Sequence, residues 1–182
     1  VRADEPTYDA CMDAFVDWYV CDQAGEDGLT AAQRFVREHE GALSTEDARM
    51  ADAFTRTRAS LFRVRRLLAD GMELVDVLRG DRVAVLERRH KAGVNREDIL
   101  SARVVTVDGN TWLTGLPLFH PPGVRRTLAR VARVHRRTGG ADPGALLRTL
   151  LARRVRVDRY RGVEADHHYR DLAPPRRWFP WG

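Results

Sequence analysis

At Leu61 the spacing of apolar residues changes from steps of three and four to short runs rich in β-branched side chains, and Asp-Gly or Gly-Asp pairs recur between them. This switch of period divides the 182-residue chain into a helical front, a strand-rich centre and a helical end, which predicts an α+β fold. The strands fall at 61–69, 72–78, 83–88, 100–107 and 111–119, separated by Asp70-Gly71, Gly80-Asp81, a loop over 93–98, and Asp108-Gly109-Asn110. The last is a strong hairpin signal, because positive φ is cheap at Gly and tolerated at Asn. Five short strands joined mostly by tight turns predict a five-stranded antiparallel meander, curled into a small barrel or a strongly twisted sheet.

Ahead of the strands, Tyr8, Cys11, Met12, Phe15, Trp18 and Tyr19 repeat at three- and four-residue intervals, the stripe of an amphipathic helix over 7–22. The periodicity turns this stripe toward the core and leaves Asp9, Asp13 and Asp17 as a solvated row. Thr30 with Gln33 forms a capping-box start for a second helix, and Ser44 or Thr45 starts a third, with Met50, Ala53, Phe54 and Thr57 directed inward. After Pro121-Pro122-Gly123, Val124, Leu128, Val131 and Ala132 form the apolar side of a helix to about Arg137, and Asp142 caps another that opens on Pro143 and runs to about Arg154. The expected organisation is an acidic helical segment over 1–60, the strand module over 61–122, Arg-rich helices over 123–163, and an irregular Pro/Trp tail over 164–182, all in one compact unit.

Charge is polarised along this plan. Residues 1–60 hold 6 Arg against 13 Asp and Glu, residues 61–122 hold 10 basic against 8 acidic, and residues 123–182 hold 15 against 5, so the segments carry −7, +2 and +10. Either the two ends face each other in the fold or the basic end meets an acidic partner. Hydrophobic residues make up 43% of the chain, enough for a core, while no apolar run approaches the roughly 20 residues of a membrane span. The acidic N-terminal segment is unlike a secretory signal. Cys11 and Cys21 are the only cysteines, ten positions apart on one helix and hence about 15 Å from each other, too far for a disulfide. These features together predict a cytoplasmic protein. Val1 in place of Met leaves open an alternative start codon, trimming, or a fragment of a longer chain.

Phe15-Val16-Asp17-Trp18-Tyr19, Gly28-Leu29-Thr30, Ser60-Leu61-Phe62-Arg63-Val64, Asp76-Val77-Leu78-Arg79-Gly80-Asp81, Leu100-Ser101-Ala102-Arg103 and Leu118-Phe119-His120-Pro121-Pro122 follow one another in an order that resembles uncharacterised bacterial proteins bearing a SEC-C zinc motif. The likeness spans about residues 8–122. It implies helices followed by strands and supplies no activity. The Cys-rich zinc element itself is missing from this sequence, so zinc or partner binding through that element does not carry over.

Candidate sites are few. Arg125, Arg126, Arg130, Arg133, Arg136 and Arg137 place several guanidinium groups on one helix, and Arg153, Arg154, Arg156, Arg159 and Arg161 follow. Such a stripe suits the phosphates of DNA or RNA, with Arg125, Arg126, Arg130, Arg133, Arg137, Arg153 and Arg154 as the polyanion contacts. It equally suits a solvated face, or one docked on the acidic first helix. Asp166, His167 and His168 are the only local cluster resembling metal ligands; the two adjacent histidines could both reach a metal, but a site wants a third or fourth ligand at defined geometry, and an ordinary polar loop is the simpler reading. Trp178, Phe179 and Trp181 lie among prolines in the final ten residues, either as anchors in a partner groove or folded back over an apolar patch. A nucleophile elbow, a phosphate-binding loop and a dinucleotide fingerprint are all absent from the sequence. The resulting expectation is a non-enzymatic interaction or scaffolding module without metal or cofactor, which binds an acidic protein partner or a second copy. A nucleic-acid-binding protein is the alternative.

Overall fold

A computed structural model describes residues 6–87, 93–139 and 142–172. Three helices come first: α1 (Tyr8–Cys21), α2 (Ala31–Glu38) and α3 (Thr45–Phe54). The capping box at the start of α2 is formed, Thr30 accepting from the Gln33 backbone and Gln33 from the Thr30 backbone. Ser44 caps α3 by accepting from the Asp47 N–H.

The strands are β1 (Arg58–Leu68), β2 (Gly71–Asp76), β3 (Arg82–Leu86), β4 (Ile99–Val107), β5 (Asn110–Leu113) and β6 (Leu118–His120). They pair in the order β1-β2-β3-β5-β4-β6, and β1 also pairs with β4. The first five therefore close into a five-stranded barrel. It is mixed, where an antiparallel meander was expected: β3 and β5 run parallel and meet through the single pair Leu86↔Trp112. The expected strand over 111–119 is divided into β5 and β6. The break lies at Gly115-Leu116-Pro117, where the Leu116 N–H is taken by the Asp13 carboxylate of α1 and Pro117 has no N–H to offer a ladder. Asp108 and Gly109, both at positive φ, form the β4–β5 turn.

Alternation along the strands sorts side chains into two cores. Phe62, Val64, Met72, Leu74, Val85, Leu100 and Val104 fill the barrel. On the outer wall, Leu61 and Ile99 pack against α4 (Arg125–Arg137), α5 (Pro143–Arg159) and α6 (Ala165–Tyr169), through Val124, Leu128, Leu150 and Tyr169. Asp142 caps α5 by accepting from the Gly144 and Ala145 N–H groups. The helix continues to Arg159, beyond the expected end near Arg154. The segment from 164, expected to be irregular, forms α6 and a 3-10 turn at Arg170–Leu172, because Tyr169 is drawn fully into the outer core.

Gly71 lies where two strands crowd it, paired with Leu68 on β1 and Leu86 on β3. A Cβ there would stand 1.9 Å from the Val85 carbonyl oxygen, a backbone atom that cannot swing aside. Gly71→Ala is accordingly expected to cost about 2 kcal/mol through forced displacement of β3, read as a fall in the urea midpoint with an unchanged slope.

The largest departure from expectation is the orientation of α1. Asp13 and Asp17 face inward: Asp13 accepts from the Leu116 N–H at 2.7 Å, and Asp17 accepts from the Thr114 hydroxyl at 2.5 Å. Cys11 is buried and Trp18 half-buried, but Met12, Phe15 and Tyr19 point to solvent. Periodicity places residues on a common face without saying which face the core takes, and here hydrogen bonds to the β5–β6 segment hold the carboxylate side inward.

Candidate nucleic-acid interface

α4 buries Thr127, Leu128, Val131 and Ala132, with Leu128 and Ala132 in the outer core. With these four turned inward, the opposite side carries Arg126, Arg130, Arg133 and Arg137. At 100° and 1.5 Å per residue, those four fall within a sector of about 60° and extend along about 16 Å of helix. Arg126, Arg133 and Arg137 are exposed and Arg130 half-buried. None of the four has a carboxylate within ion-pair distance among the described residues. Docking on the acidic first helix does not occupy them, since α4 packs chiefly on α6 and the flanking 3-10 turns while α1 lies against α2, β4 and the β5–β6 segment.

The remaining arginines of the expected set have internal partners. Arg125 binds Asp98, Arg153 binds Asp171 at 2.7 Å, and Arg154 donates to the Phe119 carbonyl at 2.8 Å while pairing with Asp158. Arg125 and Arg154 tie their helices to the strand region, and Arg153 ties α5 to the 3-10 turn at Arg170–Leu172. The basic surface extends in a direction the helix pattern did not indicate: a Cβ on Gly80 would meet the Arg136 guanidinium at 3.7 Å, so the β2–β3 turn abuts the end of α4. Arg79 and Arg82, both exposed, flank that turn. Only the turn signal at Gly80-Asp81 hinted at a loop there, and its proximity to α4 is a tertiary fact.

Two polar constellations on the barrel wall belong to its architecture. Ser101 Oγ lies 2.9 Å from His120 Nε2, and His120 Nδ1 lies 2.9 Å from the Tyr169 hydroxyl. The geometry resembles a nucleophile with its base, but burial, aided by Arg154, pushes the imidazole down to about 3. So weak a base draws little proton density from a serine at neutral pH. Burial also raises the Tyr169 phenol, so the chain Ser101–His120–Tyr169 is neutral throughout. The second constellation borders a mainly apolar cleft of about 100 Å³ between α1, α5 and the barrel, formed by Ala10, Ala14, Leu118, Leu147 and Leu151. At its edge Arg103 pairs with Asp22, donates to the Thr57 hydroxyl at 2.8 Å and lies 3.9 Å from Asp17, whose carboxyl is raised by burial.

Asp166, His167 and His168 do not converge on a point. Asp166 accepts from the Thr127 hydroxyl at 2.7 Å, the two imidazoles are set edge to face, and His168 stacks on Tyr160. No three metal-ligating side chains come together among the described residues. Cys11 and Cys21 are free thiols. Trp178, Phe179 and Trp181 lie outside the described residues. No helix among the described residues is long and apolar enough to cross a membrane.

No curated protein and no solved structure matches this chain. A family model matches residues 7–139, from the start of α1 through the barrel and the whole of α4 with its arginine face. Nothing in that match ties the chain to the SEC-C zinc motif, and the resemblance is not carried further. With nearly three quarters of its length matched, the chain belongs to a family of unknown function (DUF7986).

Proposed function

We propose that the protein is a non-enzymatic binding module whose α4 face tracks the phosphate backbone of a nucleic acid. The observation that supports this reading is the line of Arg126, Arg130, Arg133 and Arg137, turned outward and without carboxylate partners among the described residues. Guanidinium groups suit phosphate because their donors pair with its oxygens two at a time. A second feature favours phosphate over an acidic protein surface. Protein interfaces are organised around a desolvated apolar centre, and no large apolar residue is exposed on α4. Beside the arginine line, Arg136 at the end of α4 abuts the β2–β3 turn. Among the described residues no aromatic side chain stands on the α4 face to stack with bases, so binding is expected to follow the backbone and to be nearly indifferent to sequence.

Fluorescence anisotropy with labelled single-stranded and duplex oligonucleotides tests the proposal. Four neutralised phosphates on a single strand give a log–log salt slope of about −3, an affinity loss of about 50-fold between 50 and 200 mM salt. The triple change Arg126→Ala, Arg130→Ala, Arg133→Ala is expected to flatten that slope by about 2. Stability should move by no more than about 0.5 kcal/mol, because none of the three has an ion-pair partner among the described residues and two of them are exposed. Failure to bind at the lower salt, or a slope untouched by the triple change, overturns the reading. Equal affinity for a polyglutamate peptide would return the surface to an acidic protein partner.

A further inference from the structure

α1 is built inside out, and its outward face lacks a partner among the described residues. Met12 is 40% exposed, Phe15 55%, Val16 52% and Tyr19 57%. With half-buried Tyr8, three of these follow at steps of four, three and four, Tyr8-Met12-Phe15-Tyr19, which is the spacing of a coiled-coil seam. The apolar surface left open on the helix is on the order of 400 Å², within the range of the largest patch on a typical monomer, and patches of that size are often functional. The face cannot turn inward to bury itself. Rotation would break the Asp13 bond to the Leu116 N–H and the Asp17 bond to the Thr114 hydroxyl, and would expel Trp18 from the barrel side.

Charge decides what covers it. α1 contains three aspartates and no basic residue. On the neighbouring helices Arg34 and Arg37 are both engaged by Asp27, and Arg49 by Asp108. Asp9, Glu26, Glu40 and Glu46 have no cationic partner within ion-pair distance among the described residues. The region therefore presents an apolar seam in a negative field. A second copy would bring Asp9 and the surrounding unpaired carboxylates of one negative region against those of another, which disfavours self-pairing. We propose that this face docks an amphipathic helix of a partner protein, one whose apolar seam is flanked by Lys or Arg. The surface is separate from the α4 face, so this proposal does not depend on nucleic-acid binding.

The test uses the full chain and three labelled peptides of about three heptads each: one with Leu at the seam and Lys elsewhere, its counterpart with Glu for Lys, and a scrambled peptide of the Leu/Lys composition. The Leu/Lys peptide is expected to bind at least about tenfold tighter than either control, and the double change Phe15→Ser, Tyr19→Ser to remove that advantage. Both side chains are more than half exposed, so the variant should keep its circular dichroism and melting temperature, and its nucleic-acid salt slope should be unchanged. Absence of Leu/Lys binding, equal binding of the controls, or indifference to the double change overturns the proposal. So does a dimer in light scattering that the double change dissociates, which would assign the face to a second copy. Tighter peptide binding after Trp178→Ala and Trp181→Ala would assign it to the chain's own C-terminal segment.

Discussion

Replacing Asp76 by alanine is expected to lower the unfolding free energy by about 4 kcal/mol, through a buried acceptor on which three donors depend. The Asp76 side chain is wholly enclosed at one end of the barrel. Its Oδ1 accepts from the Ser60 hydroxyl at 2.7 Å and from the Leu78 and Arg79 N–H groups at 3.0 Å each. Arg58 approaches the other oxygen at 3.7 Å and simultaneously holds Asp81, so the charge is balanced without being fully hydrogen-bonded. Alanine removes the acceptor and leaves the buried Ser60 hydroxyl and at least one amide without partners. Asparagine keeps an acceptor oxygen in the same place and is expected to cost about half as much, so comparing the two in urea separates hydrogen bonding from charge. A loss below about 1 kcal/mol for the alanine variant would mean that the β2–β3 turn does not depend on this carboxylate.

The second large effect is a dependence on acid. His120 is enclosed between β6 and α6, and its imidazole is pushed down to about 3 by burial and by the positive charge of Arg154, against an ordinary value of 6.5. Below pH 6.5 the unfolded chain takes up a proton that the folded chain refuses. Stability is therefore complete above pH 6.5 and is lost progressively as the pH falls toward 3. The loss from this one group between pH 7 and pH 4 is about 3 kcal/mol. Chemical denaturation across that range should show the decline. The double change His120→Phe, Tyr169→Phe removes the imidazole and the hydroxyl it meets, and is expected to flatten the pH dependence by about that amount whatever its effect on stability at neutral pH. An undiminished slope in the double variant would assign the acid sensitivity to carboxylates elsewhere.

What could be read from the sequence was what is determined locally. Thr30 with Gln33, Ser44, and Asp142 before Pro143 each start a helix as expected, because a cap is a bond between residues two or three apart. The strands of the centre were equally visible in their β-branched runs and turn pairs. A small barrel was among the expected forms, but the pairing that closes it was not legible, since Leu86 meets Trp112 across 26 positions with no turn to announce it. Asp76 had a signal that period alone offers: it continues the inward alternation of Met72 and Leu74, so a carboxylate in that register had to be buried. Tyr169 had none, standing in a polar stretch without a repeat. For α1 the pattern supplied a stripe but no sign of its direction, and the deciding partners, Thr114 and Leu116, lie a hundred residues away. The arginine face of α4 was legible as a stripe; which arginines stay unpaired became visible only once Asp98, Asp158 and Asp171 had been placed.

The presence of Tyr169 in the outer core separates two boundaries that are easily equated. The stretch recognised by sequence similarity closes at residue 139, yet Leu150 and Tyr169, both beyond it, complete the packing over Leu61, Ile99 and Leu128. A piece cut where the similarity ends would keep every strand and the whole of α4, but would leave a greasy wall uncovered and the His120 Nδ1 unmatched. The matched stretch and the packed unit are thus of different lengths: the last helices cover an outer wall that the barrel and α4 leave open by themselves.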